Sequence, residues 1–260
     1  MDEQVWRENV REYNGAFVLW IDQSSDPLLA QHNSDGVCLA LALDFVTAYQ
    51  VGQPLPFRFV NGIRDARLIP PGTSRIPPKY IDIQSAFQAM LVQFQLNLAQ
   101  INTQLQLAEE QDKPVLLKTI REMLDNRIKQ RFGPGMSAFE KFNEPNLTAS
   151  VAIFNRMSAI AKETGPCYFL VSMRGATGGH AIAFGFRPDL SASDNFPGIF
   201  EFFDANLGLF VFGTEQKLKD FFGVFVWLDL YTHKDYNKFE IVTFPVRRRG
   251  VRQPQPSVSL

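Results

Sequence analysis

The strongest constraint on this chain is a change of hydrophobic period at Gly165-Pro166. Before it, apolar residues recur at three- and four-residue intervals over long stretches, the period of an amphipathic helix. After it they fall into short β-branched and aromatic runs separated by turn residues. These runs, Tyr168 to Ser172, His180 to Phe186, Ile199 to Asp204 and Leu209 to Phe212, read as strands. A helix is predicted over about 214–230, and Phe239 to Val246 forms a last strand. Helices first and strands afterwards predict an α+β fold, with a helical N-terminal half packed on a C-terminal antiparallel sheet.

The N-terminal half divides further. Residues 5–13 have the makings of a short helix, Phe17 to Ile21 is a short apolar run, and residues 24–36 read as loop. From Val37 the composition turns abruptly small and apolar, and Val37 to Tyr49 has helical length. This helix starts near Gly36, with Ser34 or Asp35 at its cap. Residues 51–80 carry many Pro and Gly breakers and read as a long loop. Then Ile83, Phe87, Met90, Phe94, Leu98, Ile101 and Leu105 mark an amphipathic helix of about 28 residues. Leu117, Ile120, Leu124 and Ile128 mark a second, after Pro114, and Gly133-Pro134-Gly135 ends it. Together residues 81–131 predict an antiparallel helical hairpin, followed by a helix over 147–163. The expectation is a single domain over 1–246 with this hairpin as an insertion. Residues 247–260, basic and then rich in Pro, Gln and Ser, read as a disordered tail.

Composition narrows the function classes. The 26 Lys and Arg nearly balance the 27 Asp and Glu, a net charge of −1, so no overall field draws the chain toward nucleic acid or a lipid surface. The 24 Phe have few cations interleaved and suit a core better than a stacking platform. No run of 18 apolar residues occurs and the N-terminus lacks the basic and apolar regions of a signal peptide. Cytoplasmic synthesis without a signal peptide is expected, and no integral membrane segment. No Cys/His spacing fits zinc and no glycine loop fits a phosphate, so no cofactor is expected.

Two cysteines are too few for a disulfide framework. Cys167 lies in an apolar strand and reads as core. Cys38 opens the apolar helix just after Gly36, where the positive end of the helix dipole favours a thiolate. The same residue type also packs as a small buried hydrophobe. A nucleophilic thiol needs a base, and only His32, His180 and His233 exist. His233 sits in a polar turn and His32 in the loop before Cys38. His180 opens a buried strand behind Gly178 and Gly179. An imidazole base needs a partner on its other nitrogen. Asp204 ends the next aromatic run, where a carboxylate is costly to bury unpaired. It could equally cap the turn at Asn206 and Gly208, or do both.

Three segments carry a resemblance: Gly36-Val37-Cys38-Leu39-Ala40-Leu41, Gly179-His180-Ala181-Ile182-Ala183, and Phe203-Asp204-Ala205-Asn206-Leu207-Gly208-Leu209-Phe210. They resemble the YopT/AvrPphB-type papain-like cysteine proteases in residue type and in the order Cys, His, Asp. The Cys38-to-His180 separation of 142 residues falls in the papain-like range of about 130–150. Ala205 stands where that family usually has proline. The resemblance implies a papain-like fold and a Cys38, His180, Asp204 triad. Asn33 then supplies a side-chain amide to the oxyanion, with His32 or Gln31 as substitutes. It further implies a secreted bacterial effector whose partners are a protein substrate in a host or target cell and a secretion chaperone. Glutamine deamidation or transglutamination by the same triad is an alternative, and a non-catalytic binding module is another. The hairpin is either a packing element with solvated charges or a recognition element beside the cleft.

Overall fold

The strands predicted after Gly165 form the middle of a seven-stranded antiparallel sheet in the computed structural model, which describes residues 3–31, 36–50, 63, 69–70, 72–133, 135–188 and 198–246. They are β3 (Cys167–Arg174), β4 (Gly179–Pro188), β5 (Gly198–Asp204), β6 (Gly208–Phe212) and β7 (Lys238–Pro245). Two strands from the N-terminal half close its edges: β1 (Gly15–Leu19) pairs with β6, and β2 (Ala138–Asn143) pairs with β7. The spatial order is β1-β6-β5-β4-β3-β7-β2. The fold is thus α+β, although the helices do not all precede the strands. β2 was not anticipated. Its sequence, Ala-Phe-Glu-Lys-Phe-Asn, mixes charge and aromatic residues as a half-exposed edge strand does.

Both faces of the sheet are covered. Tyr168 and Leu170 of β3, Ala181 and Ala183 of β4 and Phe203 of β5 face one side. There they meet α3 (Cys38–Gln50) through Leu41, Ala42, Phe45 and Val46, all fully buried. Burying Leu41, Phe45 and Val46 stabilises the fold by about 1.5–3 kcal/mol each, and Phe45 stacks on Phe203 at 5.3 Å. The alternate residues, including Phe169, Val171, Ile182, Phe184 and Phe202, face the other side. There α1 (Glu3–Glu12), α6 (Asn146–Thr164), α7 (Glu215–Asp220) and a π-helical segment, Phe221–Tyr231, pack with an aromatic cluster. The helix expected over 214–230 is therefore α7 continued in wider π turns.

The expected loop at 24–36 contains structure. A 3₁₀ turn, Gln23–Ser25, leads into α2 (Pro27–Gln31). Asp26 is the missed start signal: its Oδ1 accepts from Leu28 N at 3.0 Å, and Pro27 suits the first helical position. Asp26 Oδ1 also accepts from Ser74 Oγ, and its Oδ2 from Arg75 N, which ties the segment to residues near 75. The predicted hairpin is α4 (Lys79–Leu107) and α5 (Lys113–Phe132). It joins the core at its base, through buried Tyr80 and Phe132 with Ile81, Phe87 and Ile128 packed beside them, while Val92, Leu96, Leu107, Val115 and Leu117 lie exposed along its length. Among the described residues no helix is long and apolar enough to cross a membrane. The 247–260 tail lies outside the described residues, as does most of the 51–80 segment.

Glu201 of β5 is a buried carboxyl inside this frame. Its Oε2 accepts from Tyr168 Oη at 3.0 Å and lies 3.5 Å from Arg187 Nε, while Oε1 has no partner. Burial raises it to about 7, above the ordinary carboxylate value of about 4.3. Between those two values the folded chain holds a proton that the unfolded chain releases, so stability falls as pH rises through the interval. The Glu201→Gln variant lacks this loss. Its stability relative to wild type should grow by about 1–3 kcal/mol between pH 4.5 and pH 8, measured by urea unfolding at each pH.

Candidate active site

The N-terminus of α3, the start of β4 and the end of β5 meet at one end of the sheet. Cys38 is the first residue of α3, the position the helix dipole favours for a thiolate. Gly36 adopts φ +124° just before it, and a Cβ there would lie 3.2 Å from Gln23 Oε1. The early α3 amides have partners outside their own helix: Gln84 Oε1 of α4 accepts from Ala40 N at 3.2 Å. His180 is the second residue of β4, and Asp204 the last of β5. Asp204 lies opposite Ile182 in the ladder. His180, two residues earlier, therefore points to the same face of the pleat. Its Nε2 lies 3.0 Å from Asp204 Oδ1, which leaves Nδ1 as the ring nitrogen available to Cys38. Cys38 and His180 line the same cleft of about 360 Å³, together with Ser172, Arg174 and the turn Gly175 to Gly178.

The electrostatics of the three groups are coupled. Burial raises the Cys38 thiol. The His180 charge and side-chain hydrogen bonding, with the Ala181 backbone, outweigh it and hold the thiol below its ordinary value. Burial lowers the His180 imidazole. The Asp204 charge first, then that of Cys38, and hydrogen bonds from both raise it well above its ordinary value. Burial raises Asp204, but His180, Tyr231 and the Asn206 amide bring it below the usual carboxylate range. The arrangement holds an imidazolium between two groups that favour its charge, and Cys38 as a residue is half-buried at the cleft. Cys167, by contrast, is buried and pushed up to about 12 by that burial.

Asp204 does both jobs the sequence left open. Its Oδ1 also accepts from Asn206 N at 2.8 Å, and its carbonyl accepts from Leu207 N at 3.0 Å, so it caps the turn as well as holding the imidazole. Gly208 ends that turn at φ +109°, where a Cβ would fall 1.8 Å from the Leu19 carbonyl oxygen. Two further residues belong to the site and escaped the sequence reading. Tyr231, the last residue of the π-helical segment, donates its O–H to Asp204 Oδ2. Gln23 donates its backbone N–H to the Ala205 carbonyl at 2.9 Å, and its side-chain Oε1 accepts from Val37 N at 2.9 Å. It thereby ties the turn after Asp204 to the residue before Cys38. No local signal marks a lone Gln or Tyr for such roles, which depend on segments 14 and 27 residues away. Asn33 and His32 lie outside the described residues, Gln31 ends α2, and His233 is exposed in its turn. Among the described residues no cluster of His, Cys, Asp and Glu is arranged to hold a metal ion.

Two outcomes follow from the shifts. Native Cys38 should react with iodoacetamide with a midpoint below the free-thiol value of about 8.5, and His180→Ala should slow the reaction at pH 6 at least about tenfold. Labelling rates followed by peptide mass spectrometry check this, and Cys167 should stay unlabelled in the folded protein. Asp204 contributes stability above its unfolded value, and that contribution is lost as pH falls through its lowered folded value. Tyr231→Phe raises the folded value. It should move acid unfolding to higher pH and cost about 1–3 kcal/mol at neutral pH, read from circular dichroism against pH.

No protein-family model matches the chain, and comparison with curated protein sequences finds no match. Among solved structures the chain is similar to the crystal structure of the Pseudomonas avirulence protein AvrPphB, with a TM-score of 0.45 and 15% sequence identity over 90% of this chain and 98% of that one.

Proposed function

We propose that this protein is a papain-like cysteine peptidase in which Cys38 is the nucleophile, His180 the general acid and base, and Asp204 the residue that orients His180. The observation that carries this reading is the lowered Cys38 thiol in one cleft with a raised His180 whose Nε2 lies 3.0 Å from buried Asp204.

In the resting enzyme the Cys38 proton resides on His180. The Cys38 thiolate attacks the scissile carbonyl carbon, forming the S–C bond and placing negative charge on the carbonyl oxygen. The Cys38 backbone N–H and the Asn33 side-chain amide donate to that oxygen. The tetrahedral species collapses, the C–N bond breaks, and His180 gives its proton to the leaving amine. Neutral His180 then takes a proton from water as the water oxygen attacks the thioester. This second tetrahedral species collapses, the C–S bond breaks to release the acid product and the Cys38 thiolate, and the proton on His180 restores the ion pair. Asp204 stays ionised throughout and holds the ring. Gln23 acts through Val37 and Ala205, keeping the nucleophile and the orienter in register.

The protein acts on a polypeptide substrate as a secreted effector delivered into a host or target cell, the role that its three resembling segments imply. The intact mass of a candidate substrate separates the chemistries that share the thioester step. Two fragments whose masses add up to substrate plus water support the peptidase. A gain of about 1 Da on an uncleaved chain marks a glutamine deamidase instead, and an amine adduct marks a transglutaminase. Cys38→Ala should lower turnover by about 10⁴-fold or more, and Asn33→Ala by about 10²–10³-fold. A Cys38→Ala protein as active as wild type removes the catalytic reading and leaves a binding module.

A further inference from the structure

The exposed hairpin meets the cleft at its base. Leu39, Gln84, Arg131 and Arg174 line both the cleft that holds Cys38 and His180 and a second, more enclosed cavity of about 110 Å³ beside it. Arg127 and, from α4, Phe87, Gln88, Met90 and Leu91 complete the wall of the second cavity. The two spaces are therefore continuous along α4, α5 and the end of β3. Two of the four shared residues are cationic, Arg131 of α5 and Arg174 at the end of β3, and Arg127 of α5 adds a third cation in the second cavity.

One carboxylate faces this group. Glu240 accepts from Arg131 Nη1 at 3.1 Å, and its other oxygen lies 3.9 Å from Lys141. Glu240 is thus already divided between two cations, and among the described residues neither Arg127 nor Arg174 makes an ion pair. Arg127 and Arg131 are instead held against aromatic rings. The Arg127 guanidinium lies 4.3 Å from the Phe94 ring centroid, and that of Arg131 4.7 Å from Phe132. Burial pulls both guanidinium groups down, and like-charge repulsion from Arg174 adds to the lowering while Glu240 opposes it. A chain of net charge −1 has here gathered like charges in a half-buried pocket, where an arriving anion is attracted and poorly screened.

We propose that this pocket is a substrate subsite for an acidic side chain of the polypeptide, so that the hairpin base selects an Asp or Glu close to the bond presented to Cys38. The proposal rests on the peptidase reading above. The pocket has room for several waters, hence for one carboxylate side chain, and a guanidinium fork matches a carboxylate's two oxygens. The rest of the lining, Gln84 and Gln88 with the apolar Leu39, Phe87, Met90 and Leu91, brings no competing charge.

Two small alkylating reagents of nearly equal size test this without a known substrate. Iodoacetate carries a carboxylate and iodoacetamide does not. The ratio of their rate constants at Cys38 cancels any change in thiol reactivity common to both. The His180 imidazolium favours iodoacetate in every form of the protein, so the comparison is between variants. Arg174→Gln and Arg127→Gln should each lower the ratio by about 3–10-fold, Arg174→Lys should keep most of it, and added salt should shrink the wild-type ratio. A pair of peptidyl chloromethyl ketones differing only by Glu or Gln near the reactive end should show the same preference for Glu, lost in Arg174→Gln. Rapid labelling with one ratio in wild type and all variants, and no Glu preference, overturns the subsite and leaves the peptidase standing. Labelling of Cys38 at the rate of an ordinary thiol overturns the peptidase reading and the subsite with it.

Discussion

The rest of this protein is organised around the fully buried carboxylate of Asp204. An ion removed from water costs several kcal/mol unless its oxygens are matched by donors. Here the donors arrive from three directions: His180 from β4, the Asn206 amide from the turn, and Tyr231 from the end of the π-helical segment. Each donor imposes a structural demand. The turn needs Gly208, since a side chain there would run into the Leu19 carbonyl. Tyr231 needs the wide turns after α7 to reach the carboxylate. His180 needs the β4–β5 register that sets Ile182 opposite Asp204.

The same buried charge passes its influence to the cleft. Asp204 raises His180, and His180 lowers Cys38 against the effect of burial. This relay works because α3 and the sheet are fixed relative to each other. The apolar face of α3 against Phe203, Tyr168 and Leu170 supplies that rigidity, and Gln23 ties the turn after Asp204 to the residue before Cys38. Stability and reactivity therefore share residues. Loosening the α3 contact or the Gln23 bridge should be felt first at the sulfur.

The hairpin illustrates a different balance. Its sequence is amphipathic, yet along most of its length the apolar stripe meets only the partner helix, and several Leu and Val side chains remain exposed. Only its base contributes to the core and to the wall of the cleft. A hairpin anchored at one end in this manner can vary in length and surface without disturbing α3 or the sheet, while its basal residues stay beside Cys38.

Local pattern was sufficient for much of this. The period change at Gly165, the long stripes of α4 and α5 and the apolar α3 run are properties of neighbouring residues, so the α+β class, most elements and the positions of Cys38, His180 and Asp204 at element ends were legible. The α2 helix was hidden because its start signal, Asp26-Pro27, sits in an otherwise polar stretch. β2 was hidden because an edge strand needs few apolar residues. Tyr231 and Gln23 could not be found at all from sequence, since a hydrogen bond to a distant buried group leaves no periodic trace. The joining of β1 and β2 to opposite edges of the sheet, the pairing of His180 with Asp204 and the gathering of Arg127, Arg131 and Arg174 around Glu240 were decided only by tertiary structure. Such pairings are fixed by strand register and helix packing, which bring together residues that the chain itself keeps far apart.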